Sequence, residues 1–475
     1  MTSIPQLDRD SVGPLAERAP VPGYLDEDLR IGIVHFGVGN FHRSHQAVYI
    51  DRLLQDGEHE WAICGVGVTD RDRSMADALA AQDGLYTLTL RHPDGAEEMS
   101  VIGSIRRYLH AGDGADAVVE QLAHPDVRIV SLTITEGGYL QGELDENPLV
   151  REETEGDLAV PRTVFGFILA ALRMRRSRGI APFTVLSCDN IQGNGVVARA
   201  TVLAVAEKVD PELADWVDEN VAFPSTMVDR ITPATEDPDR ERVRRVLGVE
   251  DAWPVAAEPF TQWVLEDRFP AGRPALETAG AIFTDDIDGY EAAKLRLLNA
   301  SHQAVAFVGQ LAGYTFVHEA MADPAVREFV ESYMAEARSS FSPPAGLDAA
   351  QYCATVIERF LNPAVADPLR RLSVDSSDRV PIFVAPVAVD LRASGTDSRI
   401  TTAVLASWYV YWATDAVADR SSDRAERTLL SAAGEGPRAF LRAFPALSSL
   451  ASDDAFVAEF AAAADLLQSS GCAAF

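Results

Sequence analysis

The first half of the chain alternates short apolar runs with stretches of helical periodicity. Each apolar run is nearly continuous, which is typical of a strand buried on both faces of a sheet. The runs are Ile31–Phe36, Trp61–Val68, Val127–Ile134 and Phe183–Cys188, and the helical stretches are Arg43–Leu54, Met75–Ala81 and Val164–Arg176. Strands that alternate with helices in this way predict a parallel α/β sheet.

The pattern changes near Asp285, and beyond Gly289 it is largely helical. The predicted helices are Tyr290–Ala312, Pro324–Ala337, Ala349–Phe360, Thr401–Ala418, Arg424–Ala433 and Ala455–Gln468. We therefore expect an α/β domain over residues 1–284 and an all-helical domain over 285–475. Within the first domain, residues 1–29 are Pro-rich and are expected to be an irregular lead-in, and the charged stretch 233–253 is expected to be solvated.

Length and charge restrict the classes of function. A chain of 475 residues is too long for one ordinary core, which agrees with two domains. The net charge of −31 argues against a nucleic-acid or anionic-membrane partner, because both need a basic face. No apolar run reaches the roughly 18 to 20 residues that span a bilayer. The polar N-terminus does not resemble a signal peptide, so we expect a cytoplasmic protein.

A glycine turn follows the first predicted strand and precedes a helical stretch, in the segment His35-Phe36-Gly37-Val38-Gly39-Asn40-Phe41-His42. This is the context that a dinucleotide-binding fingerprint requires. Gly37 permits the tight turn, and Gly39 lets the backbone approach a pyrophosphate. The third glycine of the fingerprint is replaced by His42. An ordinary strand-to-helix turn is the alternative.

Charged residues beyond the second predicted strand bear on the choice of cofactor. Asp70 is placed to accept a hydrogen bond from a ribose 2′-hydroxyl, which favours NAD. Arg71 and Arg73 lie beside it and could instead favour the 2′-phosphate of NADP. A solvated charged loop is the third interpretation, so the sequence leaves NADP open.

Two residue types that often bind metals give no such pattern. His35, His42 and His45 do not have the one-face helical spacing of a zinc pair. The four cysteines are widely spaced and form no CxxC pair, so neither a disulfide framework nor a cysteine-rich zinc site is indicated. We expect no metal.

Lysine is rare in this chain: the 41 basic residues include only Lys208 and Lys294. Arginine cannot be deprotonated in a protein, whereas lysine can be tuned into a base, so a position that keeps lysine is a candidate for chemistry. Lys208 stands in an Ala-rich helical stretch and is expected to be a solvated surface residue. Lys294 lies in a Leu- and Ala-rich helix with Glu291, Asn299 and His302.

On an ideal α-helix, residues 291, 294, 298 and 302 share one face, and Asn299 flanks it. This set suits the oxidation of an alcohol to a ketone. Lys294 can take the hydroxyl proton, and the amide of Asn299 can stabilise the developing oxyanion. His302 can bind a neighbouring hydroxyl, and Glu291 can relay the proton to solvent. A surface Glu–Lys pair beside an ordinary histidine is the alternative.

Five segments, in this order along nearly the whole chain, resemble the polyol-specific long-chain dehydrogenases. The segments are Gly37-Val-Gly-Asn-Phe-His-Arg-Ser-His45, Ser131-Leu-Thr-Ile-Thr-Glu-Gly-Gly-Tyr139, Cys188-Asp-Asn-Ile-Gln-Gly-Asn194, Met227-Val-Asp-Arg-Ile-Thr-Pro233 and Lys294-Leu-Arg-Leu-Leu-Asn-Ala-Ser-His302. The resemblance implies a Rossmann-type cofactor domain, a helical substrate domain and zinc-free chemistry with a nicotinamide cofactor. It implies a polyol or ketose substrate, with D-mannitol and D-fructose as the expected pair, and a monomer or weak homodimer.

The resemblance also implies roles for individual residues. Lys294 would be the general base, Asn190 and Asn299 the oxyanion donors, and Glu291 the proton relay. Asn190 fits independently, because it follows a predicted strand at the edge of the sheet where ligands bind. The substrate-binding residues would be His302, Asp229, Arg371 and Arg379, and the cofactor-binding residues Gly37, Gly39, Asn40, Phe41, Asp70, Thr135 and Glu136.

One departure from the family pattern bears on the substrate. The family's Asp-Gly-Ser-Gln-Lys segment appears here as Asp375-Ser-Ser-Asp-Arg379, so that a forked arginine replaces a lysine. Three alternatives stay open: a hexuronate reductase, whose substrate carboxylate would bind Arg371 or Arg379; a pentitol dehydrogenase; and a non-catalytic nucleotide-binding sensor. Lys294 counts against the sensor, which needs no base.

Overall fold

A computed structural model of the chain describes residues 4–139, 144, 146–412 and 434–475, with only the backbone of Glu136. The chain forms two compact units, Met1–Arg91 with Ala96–Ile287 and His92–Gly95 with Asp288–Phe475. The domain bounds inferred from the sequence, 1–284 and 285–475, stay a proposal.

The first unit is built on a five-stranded parallel sheet. Its strands, with those of two smaller sheets, are β1 (Ile31–Phe36), β2 (Ala62–Gly67), β3 (Tyr86–Arg91), β4 (Glu97–Ile102), β5 (Ile105–His110), β6 (Ile129–Leu132), β7 (Thr184–Ser187), β8 (Thr226–Asp229), β9 (Val255–Ala257), β10 (Gln262–Leu265) and β11 (Ile282–Phe283). The strand order of the large sheet is β5-β2-β1-β6-β7. Strands β2, β6 and β7 are buried along their whole length, as their apolar sequences predict.

The chain reverses its direction of travel across this sheet beside β1. It runs outward through β2 to β5, and then returns to β6 and β7 on the other side of β1. In open α/β sheets, ligands bind at the carboxyl ends of the strands where the strand order reverses. The turn after β1 and the loop after β6 lie at that point. The order and parallel pairing confirm the Rossmann-type prediction.

Ten α-helices of the first unit lie in the described residues. They are α1 (Arg9–Leu15), α2 (Asn40–Ser44), α3 (Gln46–Gln55), α4 (Arg73–Ala81), α5 (Ala115–Ala123), α6 (Pro148–Glu155), α7 (Val164–Arg178), α8 (Asn194–Val209), α9 (Pro211–Asn220) and α10 (Asp237–Leu247). The single helix expected over Arg43–Leu54 is wrong, because α2 and α3 are separated at His45, whose backbone is not helical (φ −119°, ψ −93°).

Two stretches that were expected to be irregular or solvated contain structured helices. The lead-in 1–29 contains α1, which Asp8 caps and which buries Val12 and Leu15. The charged stretch 233–253 contains α10, which buries Val243 and Leu247. The lead-in is therefore not irregular throughout, because a few apolar residues at helical spacing are enough to bury one side of a short, charged helix. The stretch 233–253 is largely solvated, since α10 exposes most of its charged residues while it buries these two.

The second unit is helical in all its long elements, as predicted. Its helices are α11 (Ile287–Ala293), α12 (Ala300–Leu311), α13 (Val317–Ala322), α14 (Pro324–Arg338), α15 (Ala349–Phe360), α16 (Leu369–Ser373), α17 (Ser376–Phe383), α18 (Ala385–Ser394), α19 (Arg399–Trp412), Pro437–Arg442, Ser448–Ala451 and Asp454–Ser470. The predicted helix Arg424–Ala433, and Thr401–Ala418 beyond Trp412, lie outside the described residues.

One helix of the second unit departs from α-helical geometry at the predicted catalytic residues. Between α11 and α12 the chain forms a π-helix over Lys294–Asn299. The uninterrupted α-helix expected over Tyr290–Ala312 is therefore wrong. Around this segment the unit buries a large apolar core that includes Leu297, Phe307 and Trp408.

Candidate functional site

The turn after β1 has the shape that a dinucleotide pyrophosphate requires. Gly37 has φ +89°, and a Cβ built there would lie 2.0 Å from the carbonyl oxygen of Thr133, so only glycine fits. Gly39 is exposed, and a Cβ there would find only the Gly37 carbonyl oxygen, at 3.9 Å. The turn is thus closed on the side of the sheet and open at Gly39, where a ligand can approach the backbone.

Hydrogen bonds from β1 and β6 hold this turn in place. The Thr133 hydroxyl donates to the Gly37 carbonyl oxygen at 2.7 Å, so Thr133 Oγ1 accepts from His35 Nε2 at 2.9 Å. His35 Nδ1 then accepts from the Ser131 hydroxyl at 2.8 Å. Burial lowers the pKa of His35 to about 3, which keeps the ring neutral and this arrangement intact.

Asn40 and Phe41 contribute mainly through their position. The Asn40 amide donates to the Pro233 carbonyl oxygen and the Thr235 hydroxyl, and accepts from Arg43. Its side chain is therefore engaged within the protein, and the backbone is what it can offer a cofactor. The Phe41 ring stacks on His45, with ring centroids 5.0 Å apart.

The loop after β2 presents Asp70 to solvent. Asp72 Oδ2 accepts from the backbone N–H groups of Val68 and Thr69 at 3.0 and 2.8 Å, which folds the loop into a 3₁₀ turn over Asp70–Asp72. Asp70 is exposed, and no hydrogen-bond partner of its carboxylate is found in the described part of the chain. Arg73, in contrast, is engaged by Asp113 and His110.

The loop after β6 is held by an aspartate that sequence reasoning missed. Asp189 accepts from the backbone N–H groups of Ile134 and Thr135 at 3.1 and 2.8 Å, and from the Tyr139 hydroxyl at 2.7 Å. These bonds hold Thr135 at a positive φ of 64°. Asp189 directly precedes Asn190, after a buried strand, and that position was the available signal. The Glu136 side chain is not described.

Asn190 and Asp229 stand after β7 and at the end of β8. Asn190 is exposed, and its loop is fixed because the Asn194 amide donates to the carbonyl oxygens of Asp189 and Thr226 at 3.0 and 2.8 Å. Asp229 is buried and pairs in register with Gln262 of β10.

The π-helix of the second unit and the turn of α11 before it carry buried polar groups. Glu291, Lys294 and Asn299 are 5%, 7% and 9% exposed. Charged side chains are rarely buried unless they are paired or functional. The ideal-helix spacing assumed from the sequence is wrong here. In a π-helix the backbone hydrogen bonds join residues five apart, which brings Asn299 closer to the face of Lys294 than an α-helix would.

The neighbouring helices carry the other predicted residues of this unit. The His302 ring on α12 stacks on Phe360, with centroids 4.4 Å apart. Helix α16, which carries Arg371, packs against α12, and α17, which carries Arg379, packs against the π-helix. Arg371 forms a forked ion pair with Asp367, with Nε–Oδ1 and Nη2–Oδ2 distances of 2.6 and 2.5 Å.

Each unit thus gathers its own share of the predicted residues. The first unit places the glycine turn, Asp70, Thr135 and Asn190 after neighbouring strands of one sheet. The second places Glu291, Lys294, Asn299 and His302 on one continuous helix. Among the described residues, no group of three or more His, Cys, Asp or Glu side chains is arranged to hold a metal. None of their helices combines the length and apolarity needed to cross a membrane.

Comparison with known proteins agrees with both units. The model of the mannitol dehydrogenase Rossmann domain matches residues 31–278, and that of the mannitol dehydrogenase C-terminal domain matches residues 286–468. Mannitol 2-dehydrogenase of Pyricularia oryzae is 45% identical over 403 residues, 82% of this chain and 80% of that protein. Mannitol 2-dehydrogenase of Aspergillus fumigatus is 46% identical over 395 residues, 81% of this chain and 78% of that protein.

Two solved structures are similar over almost the whole chain. Pseudomonas fluorescens mannitol 2-dehydrogenase, in a ternary complex with NAD and D-mannitol, has a TM-score of 0.86 and 41% identity, covering 99% of this chain and 98% of that one. A substrate-free D-sorbitol dehydrogenase has a TM-score of 0.91 and 35% identity, covering 99% of both chains. The resemblance inferred from five short segments is confirmed.

Proposed function

Because this chain belongs to the mannitol dehydrogenase family, we propose that it is an NAD-dependent polyol dehydrogenase that interconverts D-mannitol and D-fructose. The observation that carries the proposal within the chain is the buried Lys294 on a π-helix, with the equally buried Glu291 and Asn299 beside it in sequence. Helical irregularities of this kind are frequent at functional sites.

The glycine turn would hold the cofactor. A Cβ at Gly39 would enter open space rather than protein, so the backbone there can approach a pyrophosphate. Asp70 would accept from the ribose 2′-hydroxyl, and Asn40, Phe41, Thr135 and Glu136 would line the same edge of the sheet. When bound, NAD supplies the hydride acceptor, and NADH the donor.

The catalytic roles would fall on the lysine, glutamate and asparagine residues that the sequence singled out. The amino group of Lys294 would take the proton from the substrate hydroxyl during oxidation and return it during reduction. The amides of Asn190 and Asn299 would act as oxyanion donors and stabilise the negative charge that develops on the substrate. Glu291, one helical turn before Lys294, would pass the proton between Lys294 and solvent.

The remaining polar groups would bind the other hydroxyls of the substrate. His302, Asp229, Arg371 and Arg379 would serve this purpose. The fork of Arg371 already binds a carboxylate, that of Asp367, which favours a neutral polyol over a hexuronate at this residue. We further propose that the enzyme is cytoplasmic and works as a monomer or weak homodimer.

A ketose panel tests the proposal. D-Fructose, xylulose, fructuronate and tagaturonate would each be offered with NADH and then with NADPH, while the loss of reduced-nicotinamide absorbance is followed. We expect D-fructose with NADH to give the highest kcat/KM. Turnover of fructuronate alone would replace the proposal with a hexuronate reductase. Binding of NADH without turnover of any ketose would indicate a sensor or an untested polyol.

A further inference from the structure

A histidine outside the predicted cofactor-binding residues connects the loop that carries Asp70 to the neighbouring strand. His110 is the last residue of β5 and is buried. Its Nε2 lies 3.0 Å from the carbonyl oxygen of Thr69, the residue before Asp70. Its Nδ1 lies 2.9 Å from Nη2 of Arg73 and 3.0 Å from the backbone nitrogen of Gly112.

The hydrogen-bond donors and acceptors around the ring determine the tautomer of His110. A carbonyl oxygen can only accept, so Nε2 must carry the proton that it donates to Thr69. The guanidinium of Arg73 and the N–H of Gly112 can only donate, so Nδ1 must accept from both. All three contacts are compatible with a single form of the ring, the neutral Nε2–H tautomer, in which the two donors share the one lone pair of Nδ1.

Asp113 forms an ion pair with the same Arg73 guanidinium. It lies in the 3₁₀ turn Ala111–Asp113, directly after β5, and its Oδ2 is 2.7 Å from Arg73 Nη1. The hydrogen bond from Arg73 holds the pKa of the Asp113 carboxyl below its ordinary value. The side chains of Arg73 and Asp113 are 40% and 67% exposed, so this pair alone would be weak. The buried imidazole of His110 gives the guanidinium a second, fixed acceptor.

The glycine at position 112 lets the turn after β5 approach these groups closely. A Cβ at Gly112 would lie 3.0 Å from His110 Nδ1 and 3.2 Å from Arg73 Nη2. The turn after β5 is therefore fitted closely around the histidine and the guanidinium. Arg73, at the start of α4 and three residues after Asp70, is one of the two cations, with Arg71, that the sequence offered as a ligand for a 2′-phosphate.

We propose that His110 and Asp113 determine cofactor specificity by position. They hold the Arg73 guanidinium away from a 2′-phosphate and fix the Thr69 carbonyl, so that Asp70 faces the ribose and NAD is preferred over NADP. This inference rests on the proposed function, because it assigns the edge beside Asp70 to the adenosine ribose. It adds two residues, His110 at the end of β5 and Asp113 in the turn that follows, to those that set the preference.

The experiment compares the parent with Asp113→Asn, Arg73→Ala and the double variant. Dissociation constants for NADH and NADPH are measured by quenching of intrinsic fluorescence, and kcat/KM is measured for both cofactors with D-fructose. Low ionic strength is used, because screening would weaken exposed pairs. Glu120→Gln is the matched control, since Glu120 forms an equally exposed ion pair with Arg178 in the same unit.

We expect Asp113→Asn to lower the preference for NADH over NADPH about tenfold, because a neutral amide holds the guanidinium less strongly than a carboxylate does, so that Arg73 can pair with the 2′-phosphate. Adding Arg73→Ala to Asp113→Asn should remove that gain, and Glu120→Gln should leave the preference unchanged. An unchanged preference in Asp113→Asn, or a gain that survives Arg73→Ala, would overturn the proposal.

His110 needs a pair of variants, because its role is to position other groups. His110→Gln can still donate to the Thr69 carbonyl, and should keep the KM for NADH within about twofold of the parent. His110→Phe cannot, and should raise that KM severalfold while kcat at saturating NADH is retained. Equal KM values in both variants would overturn the positioning role. The dissociation constants for NADH and NADPH can be measured even if no ketose is reduced. A failure of the proposed function can therefore be distinguished from a failure of this inference.

Discussion

The candidate residues at the sheet edge and those at the π-helix differ in which groups they offer a ligand. At the edge of the parallel sheet, the parts offered to a ligand are backbone and exposed side chains, each anchored from behind: Gly37 by Thr133, Thr135 by Asp189 and the loop before Asp70 by His110. At the π-helix and the turn of α11 before it, by contrast, the charged side chains of Lys294 and Glu291 are themselves buried. The first half should therefore depend on shape, and the second on single functional groups.

The largest expected effect tests the second half of this comparison. Lys294→Ala should lower kcat for D-fructose reduction by about 10³-fold, because a positioned acid or base contributes roughly 10²–10⁴. The dissociation constant for NADH should stay close to the parental value. Lys208, the only other lysine, is exposed on α8, so Lys208→Ala is the matched control and should leave both quantities unchanged. Parental turnover in Lys294→Ala would remove lysine from the mechanism.

The next effect tests whether shape dominates at the glycine turn. Gly37→Ala adds a Cβ 2.0 Å from a carbonyl oxygen at φ +89°, and should cost about 3 kcal/mol of unfolding free energy. Gly57→Ala is the control for backbone strain alone, since Gly57 has φ +94° and nothing within 4 Å of a Cβ. Gly39→Ala should keep stability but weaken NADH binding about tenfold. Chemical denaturation and cofactor titration measure the two quantities, and equal stability of the Gly37 and Gly57 variants would contradict this account.

The anchoring histidines predict a pH dependence of stability. Burial lowers the pKa of His35 to about 3, and burial together with the stacked His35 lowers the pKa of His42. Below about pH 6.5 these histidines therefore bind protons in the unfolded chain but not in the folded unit. The free energy of unfolding consequently falls as the pH falls.

For His35 the loss between about pH 7.5 and pH 5 should be about 2 kcal/mol. His35→Gln removes this titration, so its unfolding free energy should depend less steeply on pH than that of the parent. The difference between the two curves isolates His35 from other groups. Parallel curves for parent and variant would contradict the assignment.

The smallest effect concerns Asp189. Asp189→Asn should cost about 1–2 kcal/mol of stability, because one oxygen that accepts from Ile134, Thr135 or Tyr139 is replaced by an amide that cannot. The KM for NADH should rise severalfold while kcat is nearly retained. A fall in kcat with KM unchanged would instead place Asp189 in the chemical step.

The fold was predictable where burial leaves a simple pattern. Strands β1, β2, β6 and β7 are buried on both faces, and their continuous apolar runs mark them in the sequence. Strands such as β4 are only partly buried, and β9 to β11 span two to four residues. They have too little periodicity to be recognised, since their existence depends on partners distant in the chain.

Some residues of the candidate site could likewise be predicted from the sequence, and others could not. Lys294 could be singled out because lysine is rare here and because its helix is apolar. The π-helix could not be predicted, because periodicity arguments assume 3.6 residues per turn throughout. Asp189 and His110 were missed because most of their partners lie 37 to 55 residues away in sequence, which composition and spacing do not reveal.

Chemical rescue of Lys294→Ala is the most direct test of the claim that a buried lysine is the base. Primary amines of increasing basicity would be added at fixed pH, and the rate of D-mannitol oxidation by NAD would be followed. The account predicts that amines restore part of the lost kcat, and that the rate with free-base amine rises with amine basicity. Rates that are equal with and without amine, while NADH still binds with parental affinity, would contradict it.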